Sequence, residues 1–255
     1  MEKINLLITG GCSFTQVPNT YKNWPIFLRD RLGVSAFFDG AGSAGNDLIS
    51  RRVMHRVDQS LNVKKIPAEK LLVGVMWSGV NRHSFYLSEE PLKYTKFNDA
   101  KTDEQLYAHG NPNSIIDGTK RNVYMVSPHW DDELSNIYYK KFNDDVGALM
   151  NTLEHILRLQ WYLKFHKIKY FFTSYNMDSF DAKRYQNYRD HVDLKYLYDQ
   201  VDRDYFLPIE NMGVWNRNKS GLNFHVPNDD HPTSEMSEAF TDRVIVPYLK
   251  KKGWV

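Results

Sequence analysis

A serine near the start of the sequence and a histidine near its end are the residue types that nucleophilic catalysis needs. Ser13 follows the apolar run 4–8 within a glycine-rich segment, and His231 is preceded by Asp229 and Asp230. A histidine can take the proton of a serine hydroxyl, and an acid beside it can fix its tautomer. The pair predicts a nucleophile and a general base, although a serine in such a turn is also typical of a helix cap.

Two further residues carry groups that could hold an oxyanion. Gly45 ends the glycine-rich loop 39–45, where an unhindered backbone N–H could face a bound oxyanion. Asn81 follows the apolar run 71–77, and its side-chain amide is a second candidate donor. Taken alone, each is equally typical of an ordinary loop. Their occurrence together with the serine and the histidine is what indicates a site.

Short apolar runs alternate with helical patterns through most of the chain, which is typical of βαβ units. The segment 185–205 predicts a half-exposed helix, and 222–233 predicts a loop. We expect strands at 4–8, 34–38, 71–77 and 168–173, and helices that begin near Asn23 or cover 46–61, 144–165 and 234–251. The pattern predicts an α/β fold class, with an open parallel sheet covered by helices on both faces. Sites in such folds form at the C-terminal ends of the strands.

The candidate residues fall in four segments that resemble the motif blocks of the SGNH (GDSL-like) hydrolase family. These segments read GCSFT at 11–15, GSAGN at 42–46, GVNR at 79–82 and DDHP at 229–232. The resemblance implies a three-layer α/β/α sandwich of flavodoxin-like type and metal-free hydrolysis of an ester or O-acyl bond, for example an O-acetyl sugar. It also implies Ser13 as nucleophile, His231 as base, and an oxyanion hole made by the N–H groups of Ser13 and Gly45 with Asn81.

Three positions depart from the pattern of that family. Cys12 stands where an aspartate usually precedes the serine, a mainly structural position. Arg82 replaces an aspartate, which favours an anionic substrate. The family's acid commonly lies three residues before the histidine, but position 228 is Asn; Asp229 is our choice for the triad acid, with Asp230 as the alternative.

The segment from Ser84 to Asn143 has weak periodicity and many aromatic residues. A connection of this length is usually functional or partly disordered. We interpret it as a lid or specificity region inserted in a single domain, 1–255, with His129 and Trp130 as candidate substrate-binding residues. Its aromatic side chains suit an acylated sugar better than a long lipid chain.

The composition of the chain restricts the classes of partner and cofactor that we expect. In 255 residues, 33 Lys and Arg nearly balance 31 Asp and Glu, without a concentrated basic stretch, so we expect no nucleic-acid partner. Absence of a signal peptide or of a membrane-length apolar run, with a single cysteine, predicts a soluble, cytoplasmic protein. The histidines lack metal-ligand spacing, so neither metal nor cofactor is expected. The Lys-, Asn- and Tyr-rich composition suits a bacterial or phage genome, and the oligomeric state stays open.

Two other functions are compatible with these residues. The chain could be a catalytically weak or inactive member of the same fold that binds a ligand, for example a glycan, because Arg82 and the shifted acid depart from the catalytic pattern. A nucleotide-binding protein that uses Gly10-Gly11 as a phosphate loop fits less well, since the sequence lacks both Gly-x-Gly-x-x-Gly spacing and a P-loop lysine.

Overall fold

The structure is a computed structural model that describes residues 3–17, 22–86, 123–128, 133–175, 190–207 and 231–255. Its strands are β1 (Leu6–Gly11), β2 (Ser35–Gly40), β3 (Leu71–Trp77), β4 (His83–Tyr86), β5 (Val123–Val126) and β6 (Lys169–Ser174). Four of them form a parallel sheet in the order β2-β1-β3-β6, while β4 and β5 form an antiparallel pair. Every residue of β1 and β3 is buried, as expected for parallel strands covered on both faces.

Seven α-helices are present in the described part of the chain. They are α1 (Trp24–Leu32), α2 (Asn46–Asp58), α3 (Glu133–Lys141), α4 (Asp145–Phe165), α5 (Val192–Gln200), α6 (Ser234–Phe240) and α7 (Val246–Lys251). Single π-helical turns extend α2 over Gln59–Val63 and join α6 to α7 over Thr241–Ile245. None of the helices in these ranges is both long and apolar enough to cross a membrane.

Helices cover the two faces of the sheet, which gives three layers. Alternate residues of β1 point to opposite faces. Leu6 belongs to a buried cluster with residues of α2, α4 and α5, such as Val53, whereas Leu7 belongs to a second cluster with α1, α6 and α7, where Trp24 and Phe240 are fully buried. The predicted α/β fold with a central parallel sheet is therefore confirmed.

Most predicted elements are present with shifted ends. β3 has the predicted bounds, and the predicted helix 234–251 is continuous apart from its π-helical turn. β1 starts two residues later than predicted and continues to Gly11, because β2 and β3 pair with it through the glycines. Of the predicted helix 185–205, residues 185–189 lie outside the described part; in the remainder, α5 covers Val192–Gln200 and a single 3-10 turn covers Arg203–Tyr205.

The segment 84–143 contains more regular structure than its weak periodicity suggests. The β4–β5 pair and α3 lie within it or at its start. Each strand of the pair is four residues long, too short to give a clear alternation in the sequence. Residues 87–122 lie outside the described part, so the prediction of a lid stays a prediction, as does the single domain.

The strand order predicts a crevice at the carboxyl ends of the strands, which we call the sheet edge. From β1 the chain moves to β2 on one side and then to β3 on the other side of β1. The connections therefore diverge between β1 and β3, and open α/β sheets bind ligands outside the carboxyl ends of strands at such a point. Ser13 and Asn81 follow the carboxyl ends of these two strands.

Candidate active site

The turn that carries Ser13 is held by hydrogen bonds to its backbone. The carbonyl of Cys12 accepts from the N–H groups of Thr15 and Gln16 at 2.9 and 3.0 Å. The buried side chain of Asn23 donates to the carbonyls of Gln16 at 2.6 Å and Ser13 at 3.4 Å. Ser13 does not cap α1, which begins only at Trp24. The helix-cap interpretation of this serine is therefore wrong for α1, and the half-buried side chain stands in a fixed turn at the sheet edge.

The two glycines before this turn are required by packing. A β-carbon at Gly10 would lie 2.3 Å from a methyl group of Val53, and one at Gly11 would lie 2.8 Å from the carbonyl oxygen of Met76. Both residues belong to β1 and are buried. Close approach of neighbouring elements accounts for this pair, so a phosphate-binding loop is not needed to explain it.

Gly45 lies directly against the segment that follows β3. It precedes α2, and a β-carbon there would lie 2.7 Å from the carbonyl oxygen of Arg82. The buried side chain of Asn46 fastens the same two segments, because its Oδ1 accepts from the N–H of Ser78 at 2.7 Å and its Nδ2 donates to the Ser78 carbonyl at 3.2 Å. Gly45 is thus held beside the turn that contains Asn81.

The backbone of Asn81 is held by a hydrogen bond, whereas the oxygen of its side chain has no partner among the described residues. The hydroxyl of Tyr139 on α3 donates to its carbonyl. Its side-chain Oδ1 is buried and accepts no hydrogen bond from any residue of the described ranges. An unpaired buried acceptor costs free energy, so Oδ1 is suited to a hydrogen bond from a donor of a bound molecule. The role of oxyanion donor would fall to Nδ2 of the same amide.

His231 reaches this edge through aromatic contacts. Its ring centroid is 4.8 Å from that of Phe14, the residue after Ser13. Phe14 stacks on Tyr175 at 4.4 Å with an interplanar angle of 10°, and the Arg82 guanidinium lies 5.5 Å from the Tyr175 ring centroid. We call His231, Phe14, Tyr175 and Arg82 the ring stack. It joins the segments after β1, β3 and β6 to the segment before α6.

The structure brings the ring of the predicted base into contact with Phe14, the residue that follows the predicted nucleophile in the chain. No hydrogen bond joins the Ser13 hydroxyl to His231 among the contacts of the described residues. Hydrogen bonds of catalytic groups are often long in unliganded enzymes and tighten on binding. The neighbourhood through Phe14 is thus the geometric link between the two residues.

Arg82 and His155 differ in their charge and in what they could do chemically. Arg82 donates from Nη1 to the hydroxyl of Ser78 at 3.2 Å, and within the described ranges it forms no ion pair with a carboxylate. Its positive charge is therefore available to a ligand. Burial, reinforced by the charges of Arg158 and Arg51 and by His83, lowers the pKa of His155 to about 3, so this histidine is a poor general base at neutral pH.

Four of the predicted residues lie outside the described ranges: Asp229, Asp230, His129 and Trp130. The triad acid and these substrate-binding residues stay predictions. Among the residues that are described, no three His, Cys, Asp or Glu side chains are grouped as metal ligands.

Sequence reasoning missed four residues that support the site: Asn23, Asn46, Tyr139 and Tyr175. Tyr175 follows β6, so the rule that selects residues after strand ends would have found it. Asn23 and Asn46 stand at helix starts, where asparagine is common for local reasons. Tyr139 lies on α3, in a segment with no clear pattern.

The fold and this edge define an α/β protein with a polar cluster at the switch point of a parallel sheet. The chain belongs to the DUF6071 family, described as a family of unknown function, whose model matches residues 16–255. The matched range includes Gly45, Asn81 and His231 and begins after Ser13. No curated protein matches the chain.

Proposed function

We propose that the chain is a serine ester hydrolase of the SGNH type, acting on an ester or O-acyl bond such as an O-acetyl group of a sugar. The observation that supports the proposal is the contact of His231 with Phe14, the residue that follows Ser13 in the chain. Two segments with candidate oxyanion donors meet at the same edge.

The first step is attack by the Ser13 hydroxyl on the ester carbonyl. His231 takes the hydroxyl proton as the Oγ–carbon bond forms, and then gives that proton to the alcohol as the ester bond breaks. Water attacks the acyl-serine by the same route in reverse and releases the acid. The mechanism requires the Ser13 hydroxyl and the His231 ring to come within hydrogen-bond distance when substrate binds.

The developing oxyanion would be held by the N–H groups of Ser13 and Gly45 and by the amide of Asn81. Fixed donors stabilise a transition state because they need no reorganisation when charge develops. The Asn23 hydrogen bonds hold the first of these segments, and the Asn46–Ser78 pair holds the second against the third. This supports a pre-arranged oxyanion hole.

Arg82 would favour an ester whose acyl or alcohol part carries a negative charge. Its guanidinium lies over Tyr175, at the end of the ring stack opposite His231. Stacking on an aromatic ring orients the planar guanidinium while leaving its edges free for a carboxylate. The preference concerns binding of the substrate and not the acyl-transfer chemistry.

A second candidate is a non-catalytic binding module that takes a glycan at the same edge. The missing hydrogen bond between Ser13 and His231 favours it, because a binding site needs no such contact. The glycan would bind through the polar groups at this edge, without any reaction.

Hydrolysis of p-nitrophenyl acetate tests the proposal. We expect turnover by the wild-type chain, loss of turnover in Ser13→Ala, and unchanged turnover in Ser35→Ala, which removes an exposed serine at the start of β2. Equal activity of Ser13→Ala and the wild type would exclude the mechanism. Absence of hydrolysis in all three would favour the binding module.

A further inference from the structure

A second concave site lies away from the ring stack, between α7 and the turn Arg203–Tyr205. The cavity has a volume of about 630 Å³, within the range of small-molecule sites. Its lining residues are Arg203, Asp204, Phe206, Arg243, Val244, Pro247, Tyr248, Lys251 and Lys252. Phe206 pairs with Phe172 in β6, and Arg203 precedes it towards the amino end of that strand. The cavity thus lies towards the amino ends of the strands, whereas Ser13 lies at their carboxyl ends.

Positive charge dominates this cavity. Four of its lining residues are Arg or Lys, and Asp204 is the single carboxylate. Arg243 and Lys251 are exposed, lie two helical turns apart, and form no ion pair with a described carboxylate. Neighbouring acids are already paired elsewhere: Asp202 with Lys164, and Asp242 with Arg31 at 2.8 Å. The charges of Arg243 and Lys251 are therefore not neutralised by a carboxylate in the described part of the chain.

Aromatic contacts hold two of the cations at the cavity. The Nζ of Lys252 lies 4.7 Å from the ring centroid of Tyr205 and 5.7 Å from that of Tyr248. The guanidinium of Arg203 lies 4.1 Å from the ring centroid of Tyr198, and burial lowers its pKa. Tyr248 also donates its hydroxyl to the Asp204 carbonyl at 2.6 Å, which ties the two walls together.

The dipole of α7 explains only some of the cations at this cavity. Lysines in the last turn of a helix are stabilised by the negative end of the helix dipole, which explains Lys250 and Lys251. That effect ends within one turn. Arg243 stands two turns earlier, and Arg203 belongs to a different element, so neither is explained by it.

We propose that this cavity binds a small molecule with several phosphate charges, such as a polyphosphate or a phosphate ester. Cations that converge from two elements match a ligand with more than one negative group. Arginine pairs with phosphate through two parallel hydrogen bonds, and each phosphate carries up to two charges. The ring of Tyr248, which lines the cavity, offers an apolar surface to an organic part of the ligand.

Calorimetric titration of the full chain with inorganic tripolyphosphate tests this site. The variant Arg243→Gln with Lys251→Gln removes two exposed cations that line the cavity. Its matched control is Lys250→Gln, which removes an exposed cation of the same helix that does not line the cavity. Thermal unfolding of each variant shows whether the fold is retained, and Arg243→Lys alone serves if the double variant is unstable.

We expect wild-type binding to weaken about tenfold or more in the double variant, the loss that corresponds to one or more charge-assisted hydrogen bonds. Binding should be unchanged in Lys250→Gln and weaker for citrate than for tripolyphosphate. If the wild type fails to bind, or the control loses as much affinity as the double variant, the proposal is overturned. Equal binding of citrate would overturn the assignment to phosphate. The Ser13→Ala variant should bind as the wild type does.

Discussion

The two halves of the candidate active site are held in different ways. The half with Ser13, Gly45 and Asn81 is fixed by hydrogen bonds and close backbone contacts to the sheet and to α2. The half with His231 contacts the site through the face of Phe14. Stacked rings can slide with little loss of contact, whereas short hydrogen bonds cannot lengthen without cost. The nucleophile and oxyanion half is therefore pre-arranged, and the base half is adjustable.

Replacement of His231, in the adjustable half of the site, should have the largest effect on catalysis. We expect His231→Gln to lower kcat for p-nitrophenyl acetate by about four to six orders of magnitude, because a neutral amide cannot take the Ser13 proton as a general base does. The measurement is the steady-state rate of p-nitrophenol release.

The control for this variant is His166→Gln. His166 also packs on an aromatic ring, with its centroid 4.6 Å from that of Tyr162, but it lies at the end of α4. Its replacement should leave kcat unchanged. Equal rates for His231→Gln and the wild type would show that His231 is not the base.

Asn81 tests the fixed half of the site. Asn81→Ala should slow turnover roughly 100- to 1000-fold, the loss expected for one oxyanion donor. Stability should change little, since the Tyr139 hydroxyl bonds to the backbone carbonyl and not to the side chain. We would measure kcat and the urea midpoint together. A large fall in the midpoint with normal kcat would make Asn81 structural.

Gly45→Ala tests whether close packing sets the geometry of the oxyanion hole. The added methyl group would meet the Arg82 carbonyl at 2.7 Å, so we expect a loss of about 1–3 kcal/mol of stability. A shift of the loop should lower kcat roughly tenfold to hundredfold.

Gly33→Ala is the matched control for that change. Gly33 has φ 63° with open space around its α-carbon, so alanine there should cost about 1–2 kcal/mol through backbone strain alone. Its kcat should equal that of the wild type below the unfolding transition. If both variants kept full activity, the position of Gly45 would not matter for catalysis.

The smallest expected effect is on substrate preference at Arg82. Arg82→Gln should raise KM about fivefold for mono-p-nitrophenyl succinate, which is anionic, since one partly exposed charge pair contributes about 1 kcal/mol. KM for the neutral p-nitrophenyl acetate should stay the same. An equal rise for both esters would assign Arg82 to the shape of the site.

The sequence predicts the fold better than it predicts the site. Buried parallel strands are continuous apolar runs, so β3 could be located residue by residue. The segments with Ser13, Gly45 and Asn81 follow from the rule that sites form at the carboxyl ends of strands. The contacts that hold these segments could not be predicted from that rule. Asn23 and Tyr175 contact residues that are distant in the sequence, and nothing in their local sequence indicates those partners.

The ring stack shows the same limit for the histidine. A sequence pattern can pair Ser13 with His231 only by residue type, whereas the approach through Phe14 depends on how the last helices pack on the sheet. The acid partner, Asp229 or Asp230, stays a prediction from the motif alone.

Labelling with a fluorophosphonate probe tests the central claim most directly. The probe reacts with a serine only where a base activates the hydroxyl and donors hold the developing oxyanion. We expect a single labelled serine, mapped to Ser13 by mass spectrometry, with labelling lost in His231→Gln and retained in His166→Gln. A wild-type chain that is folded and yet leaves Ser13 unlabelled would contradict the account.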